Sequence, residues 1–150
     1  MQRGAFGSGE HETTESCLEL METLPAVKGA RLLDLGSGTG ILAIAALKCG
    51  ASHAVCVDID AEAVKTAQVN FRLNALEDQV SHITGTLETV NEEGFDLVLA
   101  NIYGDILLVL AGPLSARLKR GGTLLLSGIL WEYNFDVRRA YEREGCKVVR

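Results

Sequence analysis

The stretch Leu32-Leu33-Asp34-Leu35-Gly36-Ser37-Gly38-Thr39-Gly40 decides how this chain is expected to fold. An apolar run ends in an acidic residue, turns through alternating glycines and leads into the alanine-rich segment 41–48, a pattern typical of a strand, a tight turn and a helix. A second apolar run, residues 54–57, is followed by Asp58, eighteen residues beyond the last glycine. Because parallel strands bring their carboxyl ends to one edge of a sheet, we expect the glycine turn and Asp58 to form a crevice that binds the ribose of a nucleotide.

The spacing of these glycines also indicates which nucleotide is bound. A dinucleotide fingerprint, Gly-x-Gly-x-x-Gly, requires glycine at the position of Ile41, whereas the third glycine here, Gly40, comes one position earlier. A pyrophosphate site is therefore disfavoured relative to a cradle for a nucleoside without phosphates. S-adenosyl-L-methionine is the common ligand of that kind, and it is the cofactor that we expect.

Length and composition indicate a single globular domain. The chain has 150 residues, of which 47% are hydrophobic and 23% charged, enough to bury a sizeable core. No uninterrupted apolar run approaches the ~20 residues of a membrane span, and none follows the N-terminus, so we expect neither a membrane segment nor a secretory signal. The cysteines form no CxxC pair, which favours reduced thiols, a cytoplasmic location and no metal site.

The formal net charge of −6 restricts the class of partner. An acidic surface is repelled by a phosphate backbone, so a nucleic-acid partner is disfavoured and a basic protein is favoured. Basic residues do collect late in the chain, but acidic residues interleave with them, and we interpret that segment as a solvated helix face.

Apolar strands alternate with segments of helical periodicity along the chain. The predicted strands are residues 31–35, 54–57, 80–84, 95–100, 123–127 and a final fragment at 146–149. The predicted helices are residues 15–24, 41–48, 61–73, 105–118 (restarting at Pro113) and 133–144. This alternation predicts an α/β fold with an open, mainly parallel sheet and helices on both faces. Because the last strand barely begins, we expect an unfinished sheet edge through which a second copy of the chain can pair.

The ends of the strands carry the residues that we expect to bind the cofactor. Asp34 can attract the amino group of the methionine tail or the sulfonium, and Asp58 can accept both ribose hydroxyls. The third predicted strand leads into Gly85, Thr86 and Leu87, which are placed to line an adenine pocket. Alternatively, the glycines and Asp34 form only a tight turn, and Asp58 or Asp60 caps the next helix.

The segment after the fourth predicted strand, Asn101-Ile102-Tyr103, indicates methyl transfer to a nitrogen atom. Methyl transfer to nitrogen needs an amine with a free lone pair, yet a lysine amine, with a pKa of about 10.4, is protonated at neutral pH. Desolvation beside the cationic sulfonium lowers that pKa. The Asn101 oxygen can accept hydrogen bonds from the remaining N–H groups of the amine and direct its lone pair, while Tyr103 can pack against the amine. The alternative is that Asn101 closes a turn and Tyr103 packs in the core.

The N-terminal segment 4–14 surrounds one aromatic residue, Phe6, with three glycines. This composition predicts a mobile flap that excludes water from a bound ligand, although a disordered terminus is the default for such a sequence. Taken alone, a single loop histidine such as His11 is a weak catalytic candidate.

Several of these motifs resemble one known family. Residues 5–14, Ala-Phe-Gly-Ser-Gly-Glu-His-Glu-Thr-Thr, are similar to the Phe-Gly-Thr-Gly-x-His-x-Thr-Thr signature of the bacterial methyltransferase family PrmA, with Ser8 in place of a threonine. Further segments of similarity are residues 33–46, 57–60, 100–102 and 121–130. The resemblance covers nearly the whole chain.

The resemblance implies the fold of the class I S-adenosylmethionine-dependent methyltransferases. It also implies an enzyme that trimethylates amino groups of a ribosomal protein. It implies cofactor contacts at the positions of Thr14, Gly36, Asp58 and Asn101, with Phe6 and His11 in a loop that covers the cofactor. The complete set of expected cofactor-binding residues is Phe6, His11, Thr14, Asp34, Gly36, Gly38, Asp58, Ile59, Thr86, Leu87 and Asn101, and the expected catalytic residues are Asn101 and Tyr103.

The expected organisation is one methyltransferase domain over residues 1–150, with a covering loop at 1–14, a leading helix and linker at 15–29 and the α/β core at 30–150. Members of the PrmA family carry a separate N-terminal domain that presents the ribosomal protein, and the matching region here lies after it. Two alternatives therefore stay open. The acceptor can be a small molecule or a nucleic-acid amino group, or the chain can bind the cofactor without turnover.

Overall fold

The structure is a computed structural model that describes residues 17–102, 104–127, 129 and 131–147. Its centre is a sheet of five parallel strands. In chain order these are β1 (Arg31–Leu35), β2 (His53–Asp58), β3 (Val80–Thr84), β4 (Phe95–Asn101) and β5 (Leu118–Ser127). Their spatial order is β3-β2-β1-β4-β5, so the direction of strand succession reverses between β1 and β4. The carboxyl ends at that reversal are where sheets of this type bind ligands.

Six helices cover the sheet within the described residues. They are α1 (17–23), α2 (Ile41–Lys48), α3 (Ala61–Leu73), α4 (Gly104–Val109), α5 (Ala111–Arg117) and α6 (Asn134–Arg143). Short 3-10 turns lie at Pro25–Val27, Glu77–Gln79, Leu87–Thr89 and Trp131–Tyr133. None of the helices in the described part of the chain is long and apolar enough to cross a membrane.

Alternate residues of the central strands point to opposite faces of the sheet, and each face has its own core. On one face, Leu32, Cys56 and Leu99 pack with side chains of α1, α2 and α3. On the other, Leu33 and Val98 pack with side chains of α4, α5 and α6. Burial on both faces explains why β1, β2 and β4 are almost continuously apolar, as the sequence predicted.

The predicted helix 105–118 is two helices separated at Leu110. Pro113 explains the break, because its missing N–H cannot bond the Val109 carbonyl and its ring clashes with that carbonyl. Helix α4 accordingly ends at Val109, and α5 carries the proline within its first turn. The break therefore falls earlier than the predicted restart at Pro113.

Two further predictions about strands were wrong in extent. Leu118, predicted to end a helix, begins β5, so this strand starts five residues before its predicted start at Thr123. A register irregularity between Phe95 and Leu97 lets the longer strand stay paired with β4. The predicted terminal strand 146–149 is absent at Cys146 and Lys147, and residues 148–150 lie outside the described range. Within that range β5 has only β4 as a neighbour, and pairing with a second copy stays a prediction.

Candidate functional site

The glycine loop that follows β1 is tied to the end of β2 by main-chain hydrogen bonds. The amides of Gly36 and Ser37 both donate to the Val57 carbonyl, at 2.8 and 3.1 Å. Gly36, Gly38 and Gly40 have φ angles of +75°, +56° and +84°, which L side chains rarely adopt. The alternating glycines therefore allow a left-handed turn that holds the loop against the neighbouring strand.

Asp58 is oriented by two backbone donors. Its Oδ2 accepts from the Gly38 amide at 2.8 Å, and its Oδ1 accepts from the Asp60 amide at 2.9 Å. A carboxylate has about four lone-pair sites, so acceptor capacity remains for hydroxyl groups of a ligand. The capping role belongs instead to Asp60, whose side chain accepts from the Glu62 amide at 3.0 Å at the start of α3. The expectation that Asp58 lies beside the glycine loop is confirmed.

The tail of β4 lies against the same loop. A Cβ placed on Gly36 would lie 2.8 Å from Cγ2 of Ile102 and 3.2 Å from the Asn101 carbonyl oxygen. A Cβ on Gly38 would meet no atom of the described residues within 4 Å. The loop is thus closely packed at Gly36 and open at Gly38, and the open position is the one that donates to Asp58.

Helix α3 supports the loop from below. A Cβ on Gly40 would lie 2.7 Å from Cε1 of Phe71, which is fully buried. The Asn70 side-chain amide donates to the Thr39 carbonyl at 2.9 Å. Asn70 was not predicted as a site residue, because an asparagine within an amphipathic helix carries no motif of its own.

Asp34 is the buried carboxyl group of the site. It is 1% exposed, and neither of its oxygens has a hydrogen-bond partner among the residues that the structure describes. Burial and, to a smaller extent, the charge of Asp58 together raise the pKa of Asp34 to about 7. Asp34 lies on β1, two residues before Gly36, and its expected attraction of the cationic end of the ligand stays a prediction.

The tail of β3 reaches Asp58 through its backbone. The Gly85 amide donates to the Asp58 carbonyl at 2.9 Å. Thr86 is exposed beside it, whereas the Leu87 side chain is 4% exposed and packs in the core. Any contact of Leu87 with a ligand would therefore come from its backbone. Ile59, next to Asp58, is 76% exposed and offers an apolar surface at the rim.

Asn101 ends β4 and is half-buried at the same edge. Its register neighbour on β5 is Ser127, a buried residue that sequence analysis did not single out. The sequence signal for Ser127 was only its position at the end of a predicted strand. The remaining predicted site residues lie outside the described range: Phe6, His11, Thr14 and Tyr103.

Asp34, Gly36, Gly38, Asp58 and Asn101 therefore converge at one edge of the sheet, at the reversal of strand order. Thr86 and Ile59 flank this group from the β3 side. Within the described ranges, no group of three or more histidine, cysteine, aspartate or glutamate residues is arranged to hold a metal ion. The chemistry that these residues offer is hydrogen bonding and charge.

Comparison with known protein families identifies one that matches nearly the entire chain. The family model described as "Ribosomal protein L11 methyltransferase (PrmA)" matches residues 3–150. A ribosomal protein L11 methyltransferase of Pelobacter propionicus is 48% identical over 141 residues, which is 91% of this chain and 45% of the relative. The chain thus spans about half the length of the curated relatives it matches.

Solved structures agree with this family. The crystal structure of a ribosomal protein L11 methylase from Lactobacillus delbrueckii subsp. bulgaricus superposes with a TM-score of 0.81 at 31% identity, covering 93% of this chain and 75% of that one. An RNA methyltransferase from Salinibacter ruber, solved with S-adenosyl-L-homocysteine, gives a TM-score of 0.62 at 26% identity, covering 68% of this chain and 67% of that one.

Proposed function

The chain belongs to the ribosomal protein L11 methyltransferase (PrmA) family, and from that membership we propose that it binds S-adenosyl-L-methionine and methylates amino groups, of lysine or the terminal amine, on the ribosomal protein. Its fold is that of the class I S-adenosylmethionine-dependent methyltransferases. The observation that carries the proposal is the 2.8 Å bond from the Gly38 amide to Asp58 Oδ2. This bond fixes an acceptor carboxylate beside a loop that is open at Gly38.

The residues of the site fit an adenosyl ligand. Asp58 has acceptor sites left for the ribose hydroxyls, and the backbone of Gly38 is not covered by any of the side chains that the structure describes. Ile59 and Thr86 are exposed on the β3 side of Asp58, where an apolar and a hydroxyl group suit adenine. Asp34 supplies a buried acidic group toward the cationic end of the ligand. From the family motif at residues 5–14, Thr14 is proposed to contact the cofactor, and Phe6 and His11 to lie in the loop that covers it.

The reaction requires an amine whose lone pair is free and aligned. When bound, S-adenosyl-L-methionine supplies a methyl group on a sulfonium sulfur, which an amine accepts by in-line displacement. The Asn101 side chain, at the tail of β4, can accept a hydrogen bond from an N–H of the amine through its oxygen and so orient the lone pair. Tyr103 follows two residues later and is proposed to pack against the amine. Positioning of this kind contributes up to roughly 7–11 kcal/mol to a two-reactant step.

A second candidate is binding of the cofactor without turnover, for which the carboxylate of Asp58 beside the glycine loop is sufficient. An amino group on RNA is a further alternative acceptor, but a net charge of −6 weighs against a phosphate-rich partner.

Two measurements on the 150-residue chain test the proposal. Titration calorimetry with S-adenosyl-L-homocysteine is expected to show one site per chain. Transfer of a radiolabelled methyl group is then followed to purified ribosomal protein L11, with ribosomal RNA as the competing acceptor. Label on the protein supports the proposal, and label on RNA alone contradicts it. Binding in the calorimeter without any labelled product would favour a chain that binds the cofactor but does not catalyse methyl transfer.

Substituting Asn101 separates a role in the reaction from one in cofactor binding. Asn101→Ala is expected to lower methyl transfer by about 10–100-fold and to weaken binding of S-adenosyl-L-homocysteine by a smaller factor, because alignment of the amine matters only to the reaction. Asn91→Ala, an exposed residue in the loop before β4, is the matched control and should change neither quantity. Equal losses in transfer and in binding would reduce Asn101 to a binding residue.

A further inference from the structure

Asp34 is buried in an unusual way for a carboxyl group. It is 1% exposed, and both oxygens are without a hydrogen-bond partner among the described residues. An ionised carboxylate is poorly tolerated in such a place, because burial removes its water and nothing replaces it. Most buried polar groups in proteins are hydrogen-bonded, so an unpartnered one indicates a group that is completed by something else.

Among the residues that the structure describes, none brings a positive charge close to Asp34. Cys56 is its register neighbour on β2, and Leu99 is its register neighbour on β4. Cys17 of α1 lies close enough for the charge of Asp34 to raise the pKa of its thiol, although burial raises that pKa more. Helix α2, which packs on this face, is apolar up to Lys48 at its far end. The titratable groups that face Asp34 in the described structure are therefore two thiols and the carboxylate of Asp58.

The location of Asp34 supplies the missing partner. It lies two residues before Gly36 on β1, between the two strands whose tails carry Asp58 and Asn101. Under the proposed function, these tails frame the cationic amino-acid end of the ligand. Under that function, the cationic end of the ligand supplies the positive partner charge that the described residues do not offer to Asp34.

We propose that Asp34 binds a proton in the ligand-free protein near neutral pH and releases it when a ligand with a cationic amino-acid end binds, so that binding is coupled to the release of up to one proton from the site. This inference rests on the proposed function and adds to it a linkage between ligand charge and pH. The group stays neutral when no cation is present and ionises when one is, because an opposite charge nearby favours the ionised form. By reciprocity, a ligand without the cation loses this contribution to its affinity.

The position of the transition follows from the burial of Asp34. Desolvation and, after it, the charge of Asp58 together raise its pKa to about 7, so about half of the ligand-free molecules carry the proton at pH 7. A cation beside a carboxyl group lowers its pKa by about 1–3, which leaves Asp34 ionised in the complex. We therefore expect release of about half a proton at pH 7, more at pH 6 and almost none above pH 8.

Calorimetry in buffers of different ionisation enthalpy measures the released proton directly and needs no catalysis. The probes are S-adenosyl-L-homocysteine, which carries the amino group, S-adenosyl-L-methionine, which adds the sulfonium, and 5′-methylthioadenosine, which has neither. Release is expected with the first two and not with the third. A larger release with S-adenosyl-L-methionine would assign part of the effect to the sulfonium, and equal release would assign it to the amino group.

Two variants and one spectrum make the test decisive. Asp34→Asn is expected to bind S-adenosyl-L-homocysteine without proton release, whereas Asp78→Asn, an exposed carboxyl in the Glu77–Gln79 turn, should release protons like the parent chain. Infrared difference spectra of the unsubstituted chain, which depend on no variant, should show a protonated carboxyl band that disappears on ligand addition. Binding with no proton release, or with equal release by Asp34→Asn, would overturn this inference alone. Absence of any binding would overturn the proposed function and this inference with it.

Discussion

Asp58 and Asp60 lie two positions apart on one connection, yet their carboxylates do different work. Asp58 accepts the Gly38 and Asp60 amides and faces the glycine loop, while Asp60 accepts the Glu62 amide and begins α3. Because the two carboxyl groups are chemically alike and close together, each is a natural control for the other. A ligand role assigned to Asp58 should therefore be absent at Asp60.

Asp58→Ala is expected to weaken binding of S-adenosyl-L-homocysteine by about 1.5–3 kcal/mol, or roughly 10- to 150-fold, the range for hydrogen bonds to a charged group. Asp60→Ala should instead lower the free energy of unfolding by about 0.5–2 kcal/mol through loss of the helix cap, with the affinity retained. Calorimetry and urea unfolding separate the two effects. Unchanged affinity in Asp58→Ala would mean that the ribose binds elsewhere.

The buried carboxyl group of Asp34 also predicts how the free energy of unfolding of the ligand-free chain depends on pH. In the unfolded chain its carboxyl group ionises near pH 4, but burial raises its pKa in the folded protein to about 7. Between these values the folded state binds the extra proton, so the free energy of unfolding should fall as pH rises from 4 to 7, by up to about 1.4 kcal/mol per pH unit. Asp34→Asn should remove this slope in urea unfolding measured across that range.

Asp96 is the control for Asp34, because its pKa is shifted in the opposite direction and its effect on stability depends on pH with the opposite sign. Its pKa is lowered, mainly by the hydrogen bond from the Lys119 side chain and then by the Arg31 amide. Its contribution to stability is therefore present above pH 4 and lost as the pH falls below that value. Asp96→Asn should weaken the protein at neutral pH and leave the Asp34 slope in place. A parent chain whose stability is flat between pH 4 and 7, or equal slopes in the parent and Asp34→Asn, would contradict the buried, neutral state of Asp34.

At the scale of secondary-structure elements, the connection from β1 to α2 depends on how closely α3 approaches it. Gly40 and Gly94 both have a left-handed backbone, with φ angles of +84° and +76°. Only Gly40 is also crowded, since a Cβ there would lie 2.7 Å from Phe71, whereas a Cβ on Gly94 would meet nothing within 4 Å. The pair separates the cost of backbone conformation from the cost of packing.

Gly94→Ala is expected to lower the free energy of unfolding by about 1–2 kcal/mol, the cost of a left-handed residue with a side chain. Gly40→Ala should lower it by roughly 1–3 kcal/mol more, because Phe71 is fully buried and must move. Urea unfolding with an unchanged m-value measures the difference. Equal losses in the two variants would show that α3 does not hold the loop closely.

The elements that could be predicted from sequence are those whose local pattern agrees with their packing. The bounds of β1, β3, α2 and α3 were predicted as observed, because glycine turns and buried periodicity mark their ends. The first half of β5 was not, since Lys119-Arg120-Gly121-Gly122 has the composition of a turn and becomes strand only through pairing with β4. Pairing of this kind depends on a distant segment, which no local window contains.

The same distinction applies to the site. The position of Asp58 beside the glycine loop follows from motif spacing, and the structure confirms it. The isolation of Asp34 and the burial of Leu87 do not follow, because they depend on how helices pack over the strand ends. Asn70 escaped notice for the same reason, as its bond to Thr39 joins two elements that are far apart in sequence.

At the scale of the whole molecule, charge should govern the meeting with the acceptor. The chain carries a net charge of −6, and the proposed acceptor is a basic protein. Charges attract over about 30 Å at 0.01 M salt but over only about 8 Å at 0.15 M. Electrostatic steering thus predicts that KM for ribosomal protein L11 rises with salt, by roughly tenfold or more over that range, because steering of this kind raises encounter rates by 10-fold or more.

The double variant Glu77→Lys with Asp78→Lys tests whether net charge causes the effect. Both residues are exposed in the Glu77–Gln79 turn, and each substitution adds two positive charges, which brings the net charge from −6 to −2. The salt dependence of KM should become shallower, while the dissociation constant of S-adenosyl-L-homocysteine should stay the same, since the turn lies outside the glycine loop. If KM of the parent chain does not change with salt, the acceptor is recognised by contacts other than charge. A steeper salt dependence of KM in the double variant would contradict attraction between an acidic enzyme and a basic acceptor.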